Sequence, residues 1–301
     1  MKTIAILGPT ASGKTALSIA LALEHQGIIL SLDSLSIYKE IDIASAKPTL
    51  EERQGIPHFG IDELLPNEPF NVVMFFELYN KALTYAKCHD KNLFIVGGTG
   101  FYLKALMDGL SQKPSISLHV KEQIQTHLHN LPETYAMIEH YDSAYAQKIA
   151  STDRYRIEKW LEIFLSANTI PSAYLISHRN KALLEDVELF EIETDKEALR
   201  KKIALRTELM LKNGLIDEVF ALENHYTRAP QCMKSIGIKE VLDYFDGKYA
   251  LNLLHEKITT NTVQLAKRQR TFNTSQFPPH IKQPLEKLYG IISETLHGEP
   301  F

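Results

Sequence analysis

One stretch near the start of the chain restricts the fold more than any other. Residues 8–15 read Gly-Pro-Thr-Ala-Ser-Gly-Lys-Thr, which matches the pattern G-x-x-x-x-G-K-T of a phosphate-binding loop. An apolar run from Thr3 to Leu7 precedes the loop, and an apolar segment from Ala16 to Leu23 follows it. These flanks predict a buried strand, a glycine-rich turn and a helix, which is the context that the motif requires. They disfavour the alternative, a turn that matches the pattern by chance.

The residues of this loop are suited to holding a diphosphate or a triphosphate. Glycines let the backbone curl so that its amides point at phosphate oxygens, and the start of the next helix adds partial positive charge. A lysine adds a full charge, and the last threonine hydroxyl can ligate Mg²⁺. The predicted phosphate-binding residues are Gly8, Pro9, Thr10, Ala11, Ser12, Gly13, Lys14 and Thr15, with Thr15 as the metal ligand.

Composition narrows the class of protein. A length of 301 residues suggests one or two domains. A net charge of −4 disfavours nonspecific binding of nucleic acid. The basic clusters at 200–202 and 267–270 could still line a local basic channel. The alternative for either cluster is a solvated helix face. Two distant cysteines argue against a disulfide scaffold or zinc, and without a secretory signal or an apolar stretch of membrane-spanning length we expect a cytoplasmic protein.

The first 110 residues predict an α/β fold. Mostly apolar runs, typical of parallel strands that are buried on both faces, cover Thr3–Leu7, Ile28–Leu32 and Asn92–Val96. Helical patterns separate them at Ala16–His25 and Val72–Lys87, the second with Asn71 as its N-cap. In such a doubly wound sheet, ligands bind at the carboxyl ends of the strands.

The rest of the chain is predicted to be mainly helical. Helices over Leu118–Leu128, Ser143–Ile149 and Arg154–Ser166 are punctuated by prolines at 114, 132 and 171. A strand then covers Val187–Ile192, and Thr194 with Glu197 predicts a capping box for a helix that ends near Asn213. Further helices are predicted at Leu215–Asn224, Ile238–Phe245, Leu253–Phe272 and Leu285–Thr295. The predicted fold is therefore α/β, with a P-loop-type parallel sheet core and C-terminal helices (1–110 and 190–301) and a helical insertion domain (111–189).

Two strand ends carry the polar groups of the predicted site. The second strand ends at Asp33, and the third runs into Gly97-Gly98-Thr99 where a phosphate-hydrolysing enzyme usually has an acidic residue for Mg²⁺. We therefore expect Asp33 to be the only strand-end carboxylate near the loop. It could act as a general base towards an incoming nucleophile, or it could support a metal or cap a helix. His58, in a loop, could be catalytic or a hydrogen-bonding structural residue.

A series of further motifs resembles the bacterial tRNA dimethylallyltransferases. Besides the loop, the chain contains Asp-Ser at 33–34, Asp-Ile-Ala-Ser-Ala-Lys-Pro at 42–48, Gly-Ile-Pro-His at 55–58 and Val-Gly-Gly-Thr-Gly-Phe-Tyr at 96–102. Segment 156–162 is similar to the family's R-L-x-R-A-L-E, and Ser-Ile-Gly at 235–237 and Ala-Lys-Arg-Gln at 266–269 complete the match. The motifs follow one another in the order that the family has, and the resemblance covers nearly the whole chain.

This resemblance implies a reaction and its substrates. The family transfers a dimethylallyl group from dimethylallyl diphosphate to N6 of the adenosine at position 37 of tRNA, next to the anticodon, and releases diphosphate. It implies that Asp33 is the general base, that Thr99 assists it, that Mg²⁺ is the cofactor, and that Arg206 is directed at the diphosphate; a surface ion pair is the alternative for Arg206. The implied tRNA-binding residues are Asp33, Ser34, Leu35, Ser36, Thr99, Lys121, Tyr155, Arg156, Ile157, Glu158 and Lys159. We expect a monomer that does not associate with membranes.

The chain departs from the family pattern at several positions. Ser36 replaces the glutamine of D-S-x-Q, and the other departures are Lys159, Ile238, Val263 and Phe272. None lies in the phosphate loop or at Asp33, so they concern contacts with tRNA rather than the reaction. Three alternatives stay open: an isopentenyltransferase that acts on free adenine nucleotides, a kinase or NTPase, and an RNA-binding or nucleotide-switch protein without chemistry. The helical insertion and the basic C-terminal helix favour the tRNA enzyme.

Overall fold

The core of the protein is a six-stranded parallel sheet. The computed structural model describes residues 1–298. The strands follow the order β3-β2-β4-β1-β5-β6, and every adjacent pair is parallel. Their bounds are β1 Thr3–Leu7, β2 Gly27–Ser31, β3 His58–Phe59, β4 Asn92–Gly97, β5 Glu188–Glu193 and β6 Ile281–Pro284. This confirms the predicted α/β class with a parallel sheet.

Thirteen α-helices accompany the sheet in the described part of the chain. They are α1 Lys14–Glu24, α2 Val72–Cys88, α3 Gly100–Asp108, α4 Leu118–Leu128, α5 Leu131–Tyr141, α6 Ser143–Ala146, α7 Arg154–Ala167, α8 Pro171–Ser177, α9 Lys196–Lys212, α10 Leu215–Tyr226, α11 Ile238–Phe245, α12 Leu251–Gln276 and α13 Leu285–His297. A 3₁₀ turn covers Gln231–Lys234. Over residues 1–298, none of the helices combines the length and apolarity that crossing a membrane would require.

Apolar side chains stabilise the face of the sheet that packs against α1 and α13. Ile4 and Ile6 of β1, Phe94 of β4 and Phe190 of β5 are at most 1% exposed and belong to one core cluster with α1 and α13. Burial of such a side chain contributes about 1.5–3 kcal/mol relative to leaving it in water. The apolar strand runs that predicted this sheet are therefore the same residues that stabilise it.

The chain divides into two compact units. Unit 1 comprises Met1–Ala105 and Leu184–Phe301, and unit 2 comprises Leu106–Leu183. Unit 2 is helical and has its own apolar core around Trp160, whose indole N–H donates to Asp142 Oδ2 at 3.1 Å. Asp142 also accepts hydrogen bonds from the amide and hydroxyl of Ser172, so this buried carboxylate has its hydrogen-bonding capacity used within unit 2.

Local signals placed some helix ends correctly and others wrongly. Asn71 caps α2, as predicted, by accepting from the amides of Val73 and Met74. The capping box predicted at Thr194 is wrong by one residue, because Asp195 is the N-cap of α9 and accepts from Ala198 N. The helix predicted over Ser143–Ile149 ends at Ala146.

Prolines 132 and 171, taken as breaks, lie in the first turns of α5 and α8. The missing N–H of proline costs nothing in a first turn, where that group has no intrahelical partner. Helices α3, α5 and α8 and the short strands β3 and β6 were not predicted.

Candidate active site

The phosphate loop connects β1 to α1 at the carboxyl end of the sheet. Gly13, the N-cap of α1, has a φ of 97°, and no side chain caps the helix. A Cβ atom at Gly13 would lie 2.9 Å from Leu285 Cδ2, the end of a side chain that can shift, so the position favours glycine because of its backbone conformation. The first-turn amides of an α-helix have no intrahelical acceptors. The loop therefore offers backbone donors at an uncapped helix N-terminus, the arrangement that binds phosphate groups.

Lys14 is held over the loop by the loop's own backbone. Its Nζ donates to the carbonyl oxygens of Gly8 at 2.9 Å and Pro9 at 2.6 Å. Burial lowers the pKa of Lys14 to about 7, with Asp33 and Glu191 opposing the change and Arg206 adding to it. An anion bound at the loop would favour the charged form, because opposite charges nearby raise the pKa of a lysine. Gly8 and Pro9, predicted as phosphate ligands, thus contribute through carbonyl groups that orient Lys14.

Asp33 follows β2 and keeps one carboxylate oxygen free of partners in the described chain. Its Oδ1 accepts from the amides of Leu35 at 2.8 Å and Ser36 at 3.2 Å, which closes a tight Asx-type turn. Its Oδ2 has no hydrogen-bond partner within residues 1–298. One oxygen therefore fixes the side chain and the other can accept a proton, the geometry that a general base needs.

Arg206 of α9 lies in the site rather than on the surface. Its Nη1 donates to Thr10 Oγ1 at 3.2 Å. Burial lowers the pKa of the Arg206 guanidinium, and Asp33 opposes that effect, so the two side chains are close enough to interact. Arginine stays charged in proteins and donates up to five hydrogen bonds in a fixed plane. The surface ion pair that was its alternative role is not what the structure contains.

Two cavities meet around Asp33. The phosphate-loop cavity has a volume of about 740 Å³ and is lined by Ala11 to Thr15 and by apolar side chains such as Leu23, Leu205 and Leu209. The Thr99 cavity has a volume of about 300 Å³ and is lined by Ser34, Leu35, Thr99 and Lys234 to Ile236. The residues that line both cavities are Thr10, Asp33, Ser45, Arg206 and Gln269. Ligands in the two cavities would therefore approach each other beside Asp33.

One residue important for this arrangement, Gln269, was not assigned a role from the sequence. Gln269 of α12 accepts a hydrogen bond from Thr10 N at 2.9 Å, and a Cβ atom on Gly98 would lie 2.3 Å from Gln269 Nε2. Gln269 belongs to the Ala-Lys-Arg-Gln block, so the sequence showed the motif but not the contact of Gln269 with Thr10.

Glu191 corrects the expectation that Asp33 is the only strand-end carboxylate near the loop. It lies beside Leu7 in the sheet and influences the pKa of Lys14. Glu191 accepts from Asn273 at 3.0 Å, pairs with Lys282 at 2.9 Å and contacts His280 at 3.0 Å. It lines neither cavity. Its carboxylate is therefore engaged in a buried network instead of facing a ligand.

The remaining predicted site residues divide between the two units. Ser36 is buried and lines the phosphate-loop cavity, while His58 lies in β3 with Nδ1 2.8 Å from Ile56 O. In unit 2, Lys121 is exposed on α4 and Tyr155 is 67% exposed on α7. Ile157 is fully buried in the core of unit 2, so its side chain has no surface to offer a ligand.

The other members of the α7 stretch have partners within unit 2. Lys159 pairs with Glu162 and lies 5.5 Å from the centre of the Tyr155 ring. Arg156 donates to Lys148 O at 3.2 Å and pairs with Asp153, while Glu158 is half-buried. The tRNA role of these residues stays a prediction.

The oxygen ligands near the phosphate loop suit a weakly held Mg²⁺. Thr15 lines the phosphate-loop cavity, and the buried Ser12 Oγ, which lines it too, has no hydrogen-bond partner in residues 1–298. Mg²⁺ typically takes one or two protein oxygens and completes its shell with water and substrate phosphates. Within that described range, one group of potential metal ligands converges, Glu24, His25 and His297, at the other end of α1. His25 of this group contacts Ser293 Oγ of α13 at 2.8 Å, so this ring nitrogen is already engaged in a contact between α1 and α13.

Comparison with known proteins identifies the family of this chain. The family model for IPP transferase matches residues 36–276. The tRNA dimethylallyltransferase of Sulfurovum sp. strain NBC37-1 is 52% identical and that of Aliarcobacter butzleri 53%, with 97% and 92% of this chain and 97% and 93% of those proteins covered. The crystal structure of a tRNA isopentenylpyrophosphate transferase from Staphylococcus epidermidis matches at 29% identity and a TM-score of 0.70 over 100% of both chains. This chain belongs to the IPP transferase family.

Proposed function

We propose that this protein transfers a dimethylallyl group from dimethylallyl diphosphate to N6 of adenosine 37 in tRNA and releases diphosphate. The observation that carries the proposal is that Asp33 lines both cavities, between a site suited to a diphosphate and a second pocket. A transferase that binds two substrates side by side needs residues that face both of them. The names of the similar proteins support tRNA as the acceptor and a dimethylallyl group as the transferred unit; the diphosphate donor and adenosine 37 are what the family resemblance implies.

The diphosphate is assigned to the phosphate-loop cavity. There the loop amides, Lys14 and Arg206 supply donors and positive charge for a leaving group on which negative charge develops. The five-carbon chain is assigned to the apolar side chains of the same cavity, among them Leu205 and Leu209, which are 59% and 48% exposed. Such exposed leucines would lose water contact on binding an allylic chain, which favours binding.

The acceptor base is assigned to the Thr99 cavity. A base in an anticodon loop must leave the stack to reach an enclosed site, and splayed loop bases are the usual targets of RNA-specific proteins. Thr99 provides a hydroxyl at the end of β4 that could position the exocyclic amine. The exposed Lys121, Tyr155 and Arg156 and the half-buried Lys159 in unit 2 are proposed as additional tRNA contacts.

The chemical step uses Asp33 as the base. The N6 lone pair attacks the carbon that carries the diphosphate, the carbon–oxygen bond breaks, and the electron pair leaves with diphosphate. The N6 proton passes to Asp33 Oδ2, the carboxylate oxygen without a partner in the described chain. Because the amine lone pair is delocalised into the ring, removal of the proton as the bond forms lowers the barrier.

Mg²⁺ is proposed as the cofactor, with Thr15 as its protein ligand. When bound, the ion would neutralise part of the negative charge on the diphosphate. The chain's own residues still orient the substrate: Lys14 and Arg206 on the diphosphate side, and Asp33 towards the acceptor. Every group assigned a chemical role comes from one chain, so we propose that a monomer is active.

A transfer assay tests the function directly. Purified protein is incubated with labelled dimethylallyl diphosphate and Mg²⁺, with total tRNA, AMP or ATP as the acceptor, and the modified nucleoside is mapped. Label at adenosine 37 of tRNA is the expected result. Transfer to AMP or ATP would instead indicate an enzyme acting on free nucleotides, and ATP hydrolysis without transfer would indicate an NTPase. Binding of tRNA without transfer under any condition would contradict an enzymatic function.

A further inference from the structure

The segment 41–48 forms a wall of both cavities. Ala44 and Ser45 line the Thr99 cavity, whereas residues 45–48 line the phosphate-loop cavity. This segment lies between β2 and β3 and contains no strand or helix of its own. Ser45 Oγ donates to Ile41 O at 2.5 Å within the segment, and side chains from other parts of the chain anchor its two halves differently.

Glu218 anchors the first half. Its Oε2 accepts from the amides of Asp42 at 2.9 Å and Ile43 at 2.7 Å, and its Oε1 accepts from Ala44 N at 2.9 Å. Three successive amides that converge on one carboxylate form an anion-binding nest, and hydrogen bonds to a charged acceptor are about twice as strong as neutral ones. Glu218 also lies in the first turn of α10, where the helix dipole stabilises its negative charge.

Asp62 anchors the second half through two basic residues. Lys47 Nζ, on a side chain that is 5% exposed, donates to Asp62 Oδ1 at 2.5 Å and to Tyr38 O at 2.9 Å. Arg53 donates to Asp62 Oδ2 at 2.8 Å and, through Nε, to Pro48 O at 3.0 Å. Lys47 also pairs with Asp42 Oδ1, which joins the two halves at the surface.

Neither Glu218 nor Asp62 lines a cavity. We propose that these two carboxylates are positioning residues that shape the segment separately for the two substrates: Glu218 for the acceptor at the Thr99 cavity, and Asp62 for the diphosphate at the phosphate-loop cavity. This inference rests on the substrate assignment of the proposed function. It predicts that the two anchors can be weakened independently: loss of the Glu218 anchor raises the KM for tRNA alone, and loss of the Asp62 anchor raises the KM for dimethylallyl diphosphate alone.

Isosteric substitutions test the separation. Glu218→Gln replaces one acceptor oxygen by an NH₂ group that faces a backbone N–H, so the first half of the segment loosens. We expect the KM for tRNA to rise about tenfold, equivalent to the loss of one charged hydrogen bond, while the KM for dimethylallyl diphosphate stays within about twofold. Asp62→Asn should produce the reverse pattern. Glu223→Gln on the same helix as Glu218, and Glu51→Gln on the exposed turn near Lys47, serve as matched controls and should leave both constants unchanged.

Hydrogen–deuterium exchange gives a readout that does not depend on activity. The amides of residues 42–44 should exchange faster in Glu218→Gln and keep wild-type protection in Asp62→Asn. Equal changes of both Michaelis constants in both variants, or unchanged constants, would overturn the inference, as would exchange that does not distinguish the variants. Absence of transfer by the wild-type protein would overturn the proposed function instead, and the exchange experiment would still decide whether the anchors act separately.

Discussion

The backbone amide of Thr10 donates a hydrogen bond of 2.9 Å to the side-chain oxygen of Gln269, which joins the phosphate loop to α12 across 259 residues of sequence. Both residues line both cavities. The side chain of Gln269 also packs against Gly98, where any larger residue would collide with it. One neutral side chain thus holds the phosphate loop and the loop after β4 at a fixed separation.

Substitution of Gln269 should weaken use of the diphosphate in a charge-dependent way. Gln269→Ala removes one hydrogen bond, worth about 0.5–1.5 kcal/mol, and should reduce kcat/KM for dimethylallyl diphosphate by about two- to tenfold. Gln269→Glu keeps an acceptor for Thr10 N but adds a negative charge beside the diphosphate site, so its KM should rise further than that of the alanine variant. Steady-state kinetics at fixed tRNA measure both. Gln264→Ala, exposed on the same helix, is the control. Equal affinity of wild type and Gln269→Glu would contradict this account.

The two oxygens of Asp33 make a sharp test of its role possible. Asn in place of Asp can still accept from the amides of Leu35 and Ser36 through its carbonyl oxygen, so Asp33→Asn should preserve the turn while losing the base. We expect transfer to fall by about 10²–10⁴-fold, the usual contribution of a general base. Binding of tRNA, measured by filter retention, should stay within a few-fold of wild type. Asp33→Ala loses the turn as well, and transfer by Asp33→Asn at the wild-type rate would refute the assignment.

Much of the phosphate-loop half of the site could be predicted from the sequence, because its signals are local. The loop at 8–15 lies between a strand and a helix, and Asp33 directly follows a buried strand. The contacts that complete the site are not local: Gln269 reaches Thr10 from α12, and Glu218 reaches residues 42–44 from α10. Strand β6 escaped prediction because Ile281–Pro284 is a short, polar edge strand that ends in a proline. Such pairings depend on how distant elements pack, and the hydrophobic periodicity of the sequence does not predict that packing.

The pH dependence of the KM for dimethylallyl diphosphate should follow the ionisation of Lys14. Because burial lowers its pKa to about 7, the free protein carries the ammonium below that value and loses it as the pH rises. Binding a diphosphate favours the charged form, so at higher pH the protein must take up a proton on binding. The KM for dimethylallyl diphosphate should therefore rise towards tenfold per pH unit above about 7. Michaelis constants measured from pH 6 to pH 9 test this.

Lys14→Arg provides the comparison for that profile. Arginine cannot be deprotonated in proteins, so this variant should lack the rise above pH 7, while ionisation of the substrate affects both proteins equally. Lys14→Ala should weaken diphosphate use more than tRNA binding at any pH. A profile of Lys14→Arg that matches wild type would assign the pH dependence to another group.

The Glu191 network should stabilise unit 1 without taking part in catalysis. Burial raises the pKa of Glu191, but the hydrogen bonds from Asn273, Lys282 and His280 outweigh that effect and lower it overall below the ordinary 4.5. A carboxyl group whose pKa is lower in the folded state than in the unfolded chain stabilises the fold. This stabilisation is complete above the unfolded-state pKa of 4.5 and is lost as the pH falls through the folded-state pKa. Glu191→Ala should cost about 3 kcal/mol at pH 7, the lower end for a broken buried pair, because Lys282 is 38% exposed.

Urea denaturation of wild type, Glu191→Ala and Glu193→Gln at pH 7 and pH 4 checks this prediction. Glu193 lies on the exposed end of the same strand, so its substitution should leave the unfolding midpoint unchanged at both pH values. The difference between wild type and Glu191→Ala should be smaller at pH 4 than at pH 7, because at pH 4 the unfolded chain binds a proton that the folded carboxylate, with its lowered pKa, resists. A difference that is the same at both pH values would mean that lost packing, rather than the ionised carboxylate, explains the destabilisation. A variant with normal stability but no transfer activity would instead place Glu191 in the chemical step.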